Sequence, residues 1–306
     1  MICPRKGFRS LLSLLQLATI CTLTITMATA QSTQRPMSCL PPPNGTMVAW
    51  YPFDEPVTGP SANLATQNAA AWYAGTPPTP GPGKVANALY FDGLTNFIDS
   101  ADSIVTNFGP SGPNLNISCG FLGNPGDFST CQGNFSIDVW VNLTGPVDSA
   151  PADIVETIVD KRDATPVGYS FALYRDNSYS TNTYILLQLG DVAHSYTSYR
   201  SSALTPAQLT TGPGVWHHLA VTANRAIPGK QLKFYFDGQP WGTAALTQTG
   251  TLVNNQVLRI GANGPSNGPI YYFYGALDEL EIYNRVLLPW EVNNIYNAQS
   301  SGKCKP

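Results

Sequence analysis

The chain has 306 residues, with 16 Lys+Arg against 19 Asp+Glu, a formal charge of −3 and only 11% charged residues. This balance offers no basic excess to release counterions from a phosphate backbone, which argues against nucleic-acid binding. The sparse Lys, Glu and Leu argue against a long helical bundle. Hydrophobic residues at 43% and aromatics at 11% fill a core, and Gly (27) and Pro (26) punctuate it without reaching the roughly 25–30% combined share of disordered chains. The composition predicts a loop-rich, β-dominated domain.

Residues 1–30 read as a secretory signal peptide. Arg5, Lys6 and Arg9 form a positive start, Leu11 to Ile25 an apolar stretch, and Ala28-Thr29-Ala30 a small-residue cleavage site. The apolar stretch is short for a span of about twenty residues, so no membrane span is expected. Cleavage near Ala30 would move the charge from −3 to −6 and place the chain outside the cell or in a periplasm. Cys3 and Cys21 would leave with the signal. Cys39, Cys119, Cys131 and Cys304 would remain, and an even number in a secreted chain predicts disulfides. We expect Cys39–Cys304 to clip the two ends of the domain and Cys119–Cys131 to close a short Gly/Asn/Pro-rich loop. Zinc is disfavoured, because C-x₂₋₄-C spacing is absent. The N-x-[ST] sequons at Asn44, Asn116, Asn134 and Asn142 are read as chance in a chain rich in Asn, Ser and Thr.

Residues 31–46 are a Pro-rich, extended entry, residues 47–300 the domain itself, and residues 301–306 a tail carrying Cys304. Strand signals separated by turn clusters recur at residues 47–53, 88–91, 97–99, 135–141, 157–161, 169–174, 184–189, 195–199, 216–222, 232–236, 239–243, 257–260 and 276–283. Residues 76–84 and 107–133 read as loops. In 135–141, Phe135, Ile137, Val139 and Val141 alternate with Ser136, Asp138 and Trp140. Trp216, His218, Ala220 and Thr222 share one face of their strand, opposite His217, Leu219 and Val221. Asp237-Gly238 makes a hairpin turn. Strict alternation in 278–283 sets Asp278, Leu280 and Ile282 against Glu279, Glu281 and Tyr283. Asp160-Lys161-Arg162 reads as a solvated strand end, and Arg285 as a structural salt-bridge partner. One helix follows, with Pro289 in its first turn and Trp290, Val292, Ile295 and Tyr296 at its apolar positions. Many short strands with frequent turns predict an all-β sandwich or jelly roll.

Carbohydrate recognition needs aromatic faces for sugars and planar polar groups for hydroxyls. Candidates are Trp72, Tyr73, Tyr179, Tyr196, Tyr199, Trp241 and the run Tyr271-Tyr272-Phe273-Tyr274, with Arg175 and Arg200 in support. The run stands out, since four successive aromatics cannot all face inward on a strand. A Ser-His-Asp triad has little support: His194, His217 and His218 are the chain's histidines and no G-x-S-x-G elbow exists.

MVAWYPFDE, GKVANALYFDG, NFSIDVWVNL, TIVDKR, GYSFALY, GVWHHLAVTANR, LKFYFDGQPWGT, LRIGANG and YGALDELEIYNRVLLPWEVNNIY occur in that order. This ordered set, over about residues 47–297, resembles the LamG-like (laminin G-like 3) jelly-roll domain of secreted bacterial proteins. That family lies in the concanavalin A-like lectin/glucanase superfamily, and the closing stretch is also similar to the end of pentraxins. The resemblance implies two stacked antiparallel sheets with one short C-terminal helix, and a non-catalytic, lectin- or adhesion-type binding module for a glycan or cell-surface protein. A structural or protein-interaction module and a divergent glycosidase are the alternatives. Glucanases of the superfamily carry E-x-D-x-E or E-x-D-x-x-E. Here Ala276 takes the nucleophile position before Asp278 and Glu281, so the resemblance implies no enzyme. It also implies calcium (Ca2+), with Asp54 and Asp278 as ligands, although EPVTGPSANLATQN after Asp54 adds no further Asp and the pentraxin-like acidic positions are empty in GANGPSNGP. Without calcium, Asp54 would cap a turn and Asp278 would pair with a nearby cation.

Overall fold

The computed structural model describes residues 39–43, 46–55, 60–65, 70–74, 76–100, 133–144, 154–165, 167–176, 181–191, 196–225, 230–248, 250–264 and 270–306. The signal segment, Cys119, Cys131, Asn44, Asn116, Tyr179 and His194 lie outside these residues, as do the side chains of Trp72 and Tyr73. The strands are β1 (Met47–Tyr51), β2 (Ser61–Ala62), β3 (Ala70–Ala74), β4 (Thr79–Pro82), β5 (Asn87–Asp92), β6 (Phe97–Ser100), β7 (Phe135–Leu143) and β8 (Ile154–Arg162). They continue as β9 (Gly168–Asp176), β10 (Asn182–Gly190), β11 (Thr197–Arg200), β12 (His217–Asn224), β13 (Gln231–Phe236), β14 (Gln239–Ala245), β15 (Leu258–Ile260) and β16 (Tyr274–Tyr283). Helix α1 spans Pro289–Ala298.

Two antiparallel sheets form. The first runs β14-β13-β12-β7-β16-β5-β4, with β1 also paired to β16; the second runs β11-β10-β9-β8-β15-β6-β3-β2. Alternation decides which side chains meet between them. Phe135, Ile137, Val139 and Val141 of β7 enter one apolar core with Phe171, Leu173, Ile185 and Leu187 of the second sheet, while Asp138 and Trp140 point to the outer face. Each such buried aliphatic or aromatic side chain contributes about 1.5–3 kcal/mol. The β13–β14 hairpin turns at Asp237 and Gly238, both at positive φ (47° and 73°), as a two-residue turn matched to strand twist requires.

Strand β16 departs from strict alternation. Asp278 lies opposite Trp140 and Glu281 opposite Asp138, so β16 spends three residues where β7 spends two. Glu279 is the extra residue, at φ 49°, and forms a β-bulge. The bulge puts Asp278 on the same face as Glu281 and Tyr283, whereas Leu277, Leu280 and Ile282 enter the core. The expected grouping of Asp278 with Leu280 and Ile282 is therefore corrected.

Helix α1 covers the outer face of the first sheet. Val292 and Ile295 pack with Ala220, Tyr235, Tyr283 and Leu287, and Tyr296 stacks on Trp140 at 5.6 Å. Trp290, expected in the apolar stripe, is 61% exposed. Glu291 accepts from the Leu288 N–H at 2.8 Å and pairs with Arg285 at 2.6 Å, giving Arg285 its structural role. The tail follows the helix: Leu40 bridges Lys303 in parallel, and Cys39 and Cys304 form the expected disulfide.

Other expectations change. The 76–84 loop contains β4, and β2 and β3 carry no alternating apolar pattern that would have announced them. Asp160, Lys161 and Arg162 are all buried, at 2%, 1% and 8% exposure; strands and loops remote in sequence supply their partners, so the end of β8 is not solvated. Asn142 is buried and donates to the carbonyls of Gly212 (2.9 Å) and Val215 (2.7 Å), which closes that sequon to a glycan in the folded chain.

Candidate ligand-binding face

The outer face of the second sheet carries a continuous polar row. Ser198, Gln188, Ser170, Asp160, Arg259 and Asp99 pair in register across β11, β10, β9, β8, β15 and β6. Five interstrand steps make this row about 24 Å long. Hydrogen bonds hold its members in place, Ser170 through the Val159 carbonyl at 3.2 Å. Gln188 donates to Ser198 Oγ at 3.1 Å. Arg162 donates to Gln188 Oε1 at 3.2 Å and to the Tyr196 hydroxyl. It also grips both oxygens of Asp160 at 2.8 Å. The Gly264 N–H donates to Asp160 at 3.0 Å. Arg259 holds Asp99 through two bonds of 2.7 and 2.8 Å. Such two-point arginine pairs set geometry as well as energy.

Aromatic rings rim the row. Tyr196 lies under the Arg162 guanidinium, 5.0 Å from ring centroid to carbon, and is close enough to Tyr271 for their hydroxyls to interact electrostatically. Tyr271 is 38% exposed; its N–H donates to Asn263 in the loop that also supplies Gly264. Tyr272 packs on Phe97 at 6.5 Å, and Arg259 lies 3.9 Å over Phe97. At the far edge Arg200 stacks on Tyr174. Asp160 and Arg162 are buried and act as scaffold, while Gln188, Ser198, Tyr196, Tyr271 and Tyr272 carry the accessible surface.

The remaining aromatic candidates stand elsewhere. Tyr199 faces inward, 7% exposed, and its hydroxyl bonds Gln248 and Thr247. Its neighbours Ser198 and Arg200 point outward, so parity along β11 removes Tyr199 from the surface. Trp241 packs against the core beside Phe236 at 5.8 Å. Phe273 is fully buried, and Tyr274, 38% exposed, belongs to the first sheet. Arg175 is buried on Glu156 at 2.9 Å and is not available to a ligand. His217 bonds Asp237 at 2.9 Å through Nδ1 and meets the carbonyl and hydroxyl of Thr210 at 3.1 and 3.3 Å through Nε2, as a hydrogen-bonded strand histidine, and His218 is sealed beside Trp140 at 5.1 Å. A separate cleft of about 310 Å³ is lined by Pro42, Pro43, Met47, Trp50, Leu64 and Pro306; its lining carries no charged side chain.

The family model Laminin_G_3, described as concanavalin A-like lectin/glucanases superfamily, matches residues 122–293, more than half of the chain. The chain belongs to the concanavalin A-like lectin/glucanase superfamily. A search of curated proteins finds no match. Among solved structures, the binding domain of Paraclostridial Mosquitocidal Protein 1 is similar at 15% identity and TM-score 0.58, covering 83% of this chain and 52% of that one. The binding domain of Botulinum neurotoxin DC in complex with rat synaptotagmin II is similar at 13% identity and TM-score 0.54, covering 83% and 51%. The same domain in complex with SialylT gives 14% identity and TM-score 0.54, covering 83% and 52%. The chain spans about half the length of these structures. At such identities the likeness is one of fold, and these neighbours are binding domains rather than catalytic ones.

Two chemistries known in the superfamily are judged on this chain's own residues. For glycoside hydrolysis two carboxyl groups must flank an open cleft. Asp138 and Glu281 are adjacent, and burial raises both their pKa values, that of Glu281 to about 8. They are nonetheless sealed under the C-terminal tail, at 1% and 0% exposure. Asp160 and Asp99 are each consumed by an arginine.

For calcium, the pair Asp54 and Asp278 lies close enough for electrostatic contact. The Asn87 N–H and the Lys305 ammonium approach Asp54, and the Val85 N–H donates to Asp278 at 2.8 Å. Calcium requires six to eight oxygen ligands; two carboxyls alone fall short of that, and donors already hold one oxygen of Asp278 and both of Asp54, while Asp278 Oδ1 meets no hydrogen-bond donor. Among the described residues no group of three His, Cys, Asp or Glu is arranged for a metal. Asp54 and Asp278 by themselves do not complete a calcium shell. Asp278 accepts backbone N–H groups, and Lys305 serves Asp54 and Glu279, 3.0 Å from the latter.

Of the aromatic candidates read from the sequence, Tyr196, Tyr271 and Tyr272 lie on this face. Gln188, Ser198 and the Asp160–Arg162 pair beside them were not singled out by the sequence reading. The available signal was the polar parity of β10 and β11, which places Gln188 and Ser198 opposite the core residues Leu187 and Tyr199.

Proposed function

We propose that this chain is a secreted, non-catalytic binding module that recognises carbohydrate on the outer face of its second sheet, without calcium. The observation that carries this reading is the fixed polar row from Ser198 to Asp99, rimmed by Tyr196, Tyr271 and Tyr272. Sugar rings present apolar faces and planar hydroxyl arrays, and this face combines aromatic rings with pre-organised polar groups. Gln188 and Tyr196 are held by the buried Arg162, so binding would order few new side chains. The bonded termini fit an oxidising compartment, as a disulfide does generally, and no helix among the described residues is long and apolar enough to cross a membrane.

The test is a glycan array probed with the purified chain from Gln31 onward, in calcium and in chelator. The reading expects selective binding of the same glycans in both arms. Loss of binding on chelation would contradict the calcium-independent part. No binding in either arm would leave the protein-interaction module as the better reading.

A further inference from the structure

Arg200 differs from every other described arginine. Arg162, Arg175, Arg259 and Arg285 are engaged by Asp160, Glu156, Asp99 and Glu291. Arg225 is fully buried against the carbonyls of Gln248, Gly133 and Gly250. Arg200 is exposed, and no acidic or carbonyl partner stands at its guanidinium among the described residues. It is also held in place. Its guanidinium carbon lies 3.8 Å over the ring of Tyr174 and 5.8 Å from that of Tyr184. These two tyrosines face each other in register on β9 and β10, with rings 6.1 Å apart.

We propose that Arg200, laid on Tyr174 and Tyr184, is the subsite for a sugar carboxylate, a hexuronate or a sialic acid, at one end of the polar row. The proposal rests on the carbohydrate reading above. Stacking occupies a face of the guanidinium and leaves its N–H edge free. That edge is a rigid fork matched to the two coplanar oxygens of a carboxylate, and the rings already hold it, so little side-chain freedom is lost on binding. Ser198 precedes Arg200 by two residues on the same face of β11, a rise of about 7 Å. One glycan can therefore meet the fork and the row together. The chain's net charge of −3 disfavours a polyanion that neutralises many phosphates or sulfates. A single placed cation on such a surface selects a single placed anion.

The test uses matched immobilised pairs: glucosyl and glucuronosyl, galactosyl and galacturonosyl, lactose and sialyllactose, with a sulfated lactose as control. They are probed with the chain and with its Arg200→Gln and Arg200→Lys variants, folding being checked by thermal melting. The expected result is a preference of about tenfold or more for one carboxylate member over its neutral partner. In Arg200→Gln that ratio falls to about one, and Arg200→Lys, which keeps the charge and loses the fork, recovers little of it. Equal binding of neutral and acidic members by the unaltered chain overturns the proposal and leaves the carbohydrate reading standing. A preference that survives Arg200→Gln, or sulfated lactose bound as well as the best carboxylate, also overturns it. Absence of any glycan binding removes both.

Discussion

The ammonium of Lys303 lies 2.6 Å from Oε1 of Glu281, a carboxyl with no solvent exposure on the outer face of the first sheet. Asp138 and Glu279 add their charge around it. Cluster charge holds the Lys303 pKa above its ordinary value, while burial and the neighbouring Asp138 raise that of Glu281 to about 8. Burial is the larger cause at Glu281, and the excess of carboxyls over ammonium adds to it while holding Lys303 charged. A residue three from the chain end thus completes the electrostatics of β16.

Lys303→Met leaves that cluster without its buried cation. Removal of one partner from a buried pair costs about 3–5 kcal/mol. Urea unfolding should show this loss, and Glu281→Gln added to Lys303→Met should recover part of it. A single variant as stable as the parent would show that the pair does not support the fold.

The same burial sets a pH dependence. Burial first, then neighbouring charge, raises Asp278 and Glu281 to about 8, and burial lowers His218 to about 3. Between the ordinary carboxyl range and about 8, the folded chain keeps protons that the unfolded chain has lost, so stability falls as pH rises. His218 acts oppositely, but only below its ordinary value of 6.5. The unfolding free energy should therefore fall from pH 6.5 to pH 8, by up to about 1.4 kcal/mol per pH unit for each group, and the melting temperature with it. Asp278→Asn should flatten the slope. A rise over that window would contradict this assignment.

The Cys39–Cys304 bridge closes a separation of 265 residues. Its loss, by reductant or as Cys304→Ser, should cost about 2–5 kcal/mol. It should also free the tail that presents Lys303 and Lys305. Trypsin followed by mass spectrometry reads this directly: cleavage after Lys303 should be slow in the oxidised chain and fast in the reduced one. Equal cleavage in both states would mean that the hydrogen bonds between Leu40 and the tail hold it unaided.

Much of the fold was legible in the sequence because strand periodicity is local. Phe135 to Val141 alternate without interruption, and Asp237-Gly238 supplies the turn between β13 and β14. The bulge at Glu279 was not legible: Asp278 to Tyr283 read as a plausible alternating strand with or without an extra residue. The burial of Asp160, Lys161 and Arg162 was hidden for another reason. Gly264 and Asn254, which satisfy Asp160 and Lys161, lie about a hundred residues away in sequence. At the candidate face, aromatic identity pointed to Tyr196 and Tyr271, but only strand parity separates the outward Ser198 and Arg200 from the inward Tyr199.

The central claim is that the outer face of the second sheet binds glycan. The most direct test is calorimetric titration of a glycan selected on the array against the chain and against Tyr196→Ala and Gln188→Ala. The account predicts a weakening of about tenfold or more in each variant, in the range of a lost stacking or hydrogen-bonding partner, with the melting temperature nearly kept. Unchanged affinity in both variants, with the glycan still bound, would place the site elsewhere on the molecule and contradict the account.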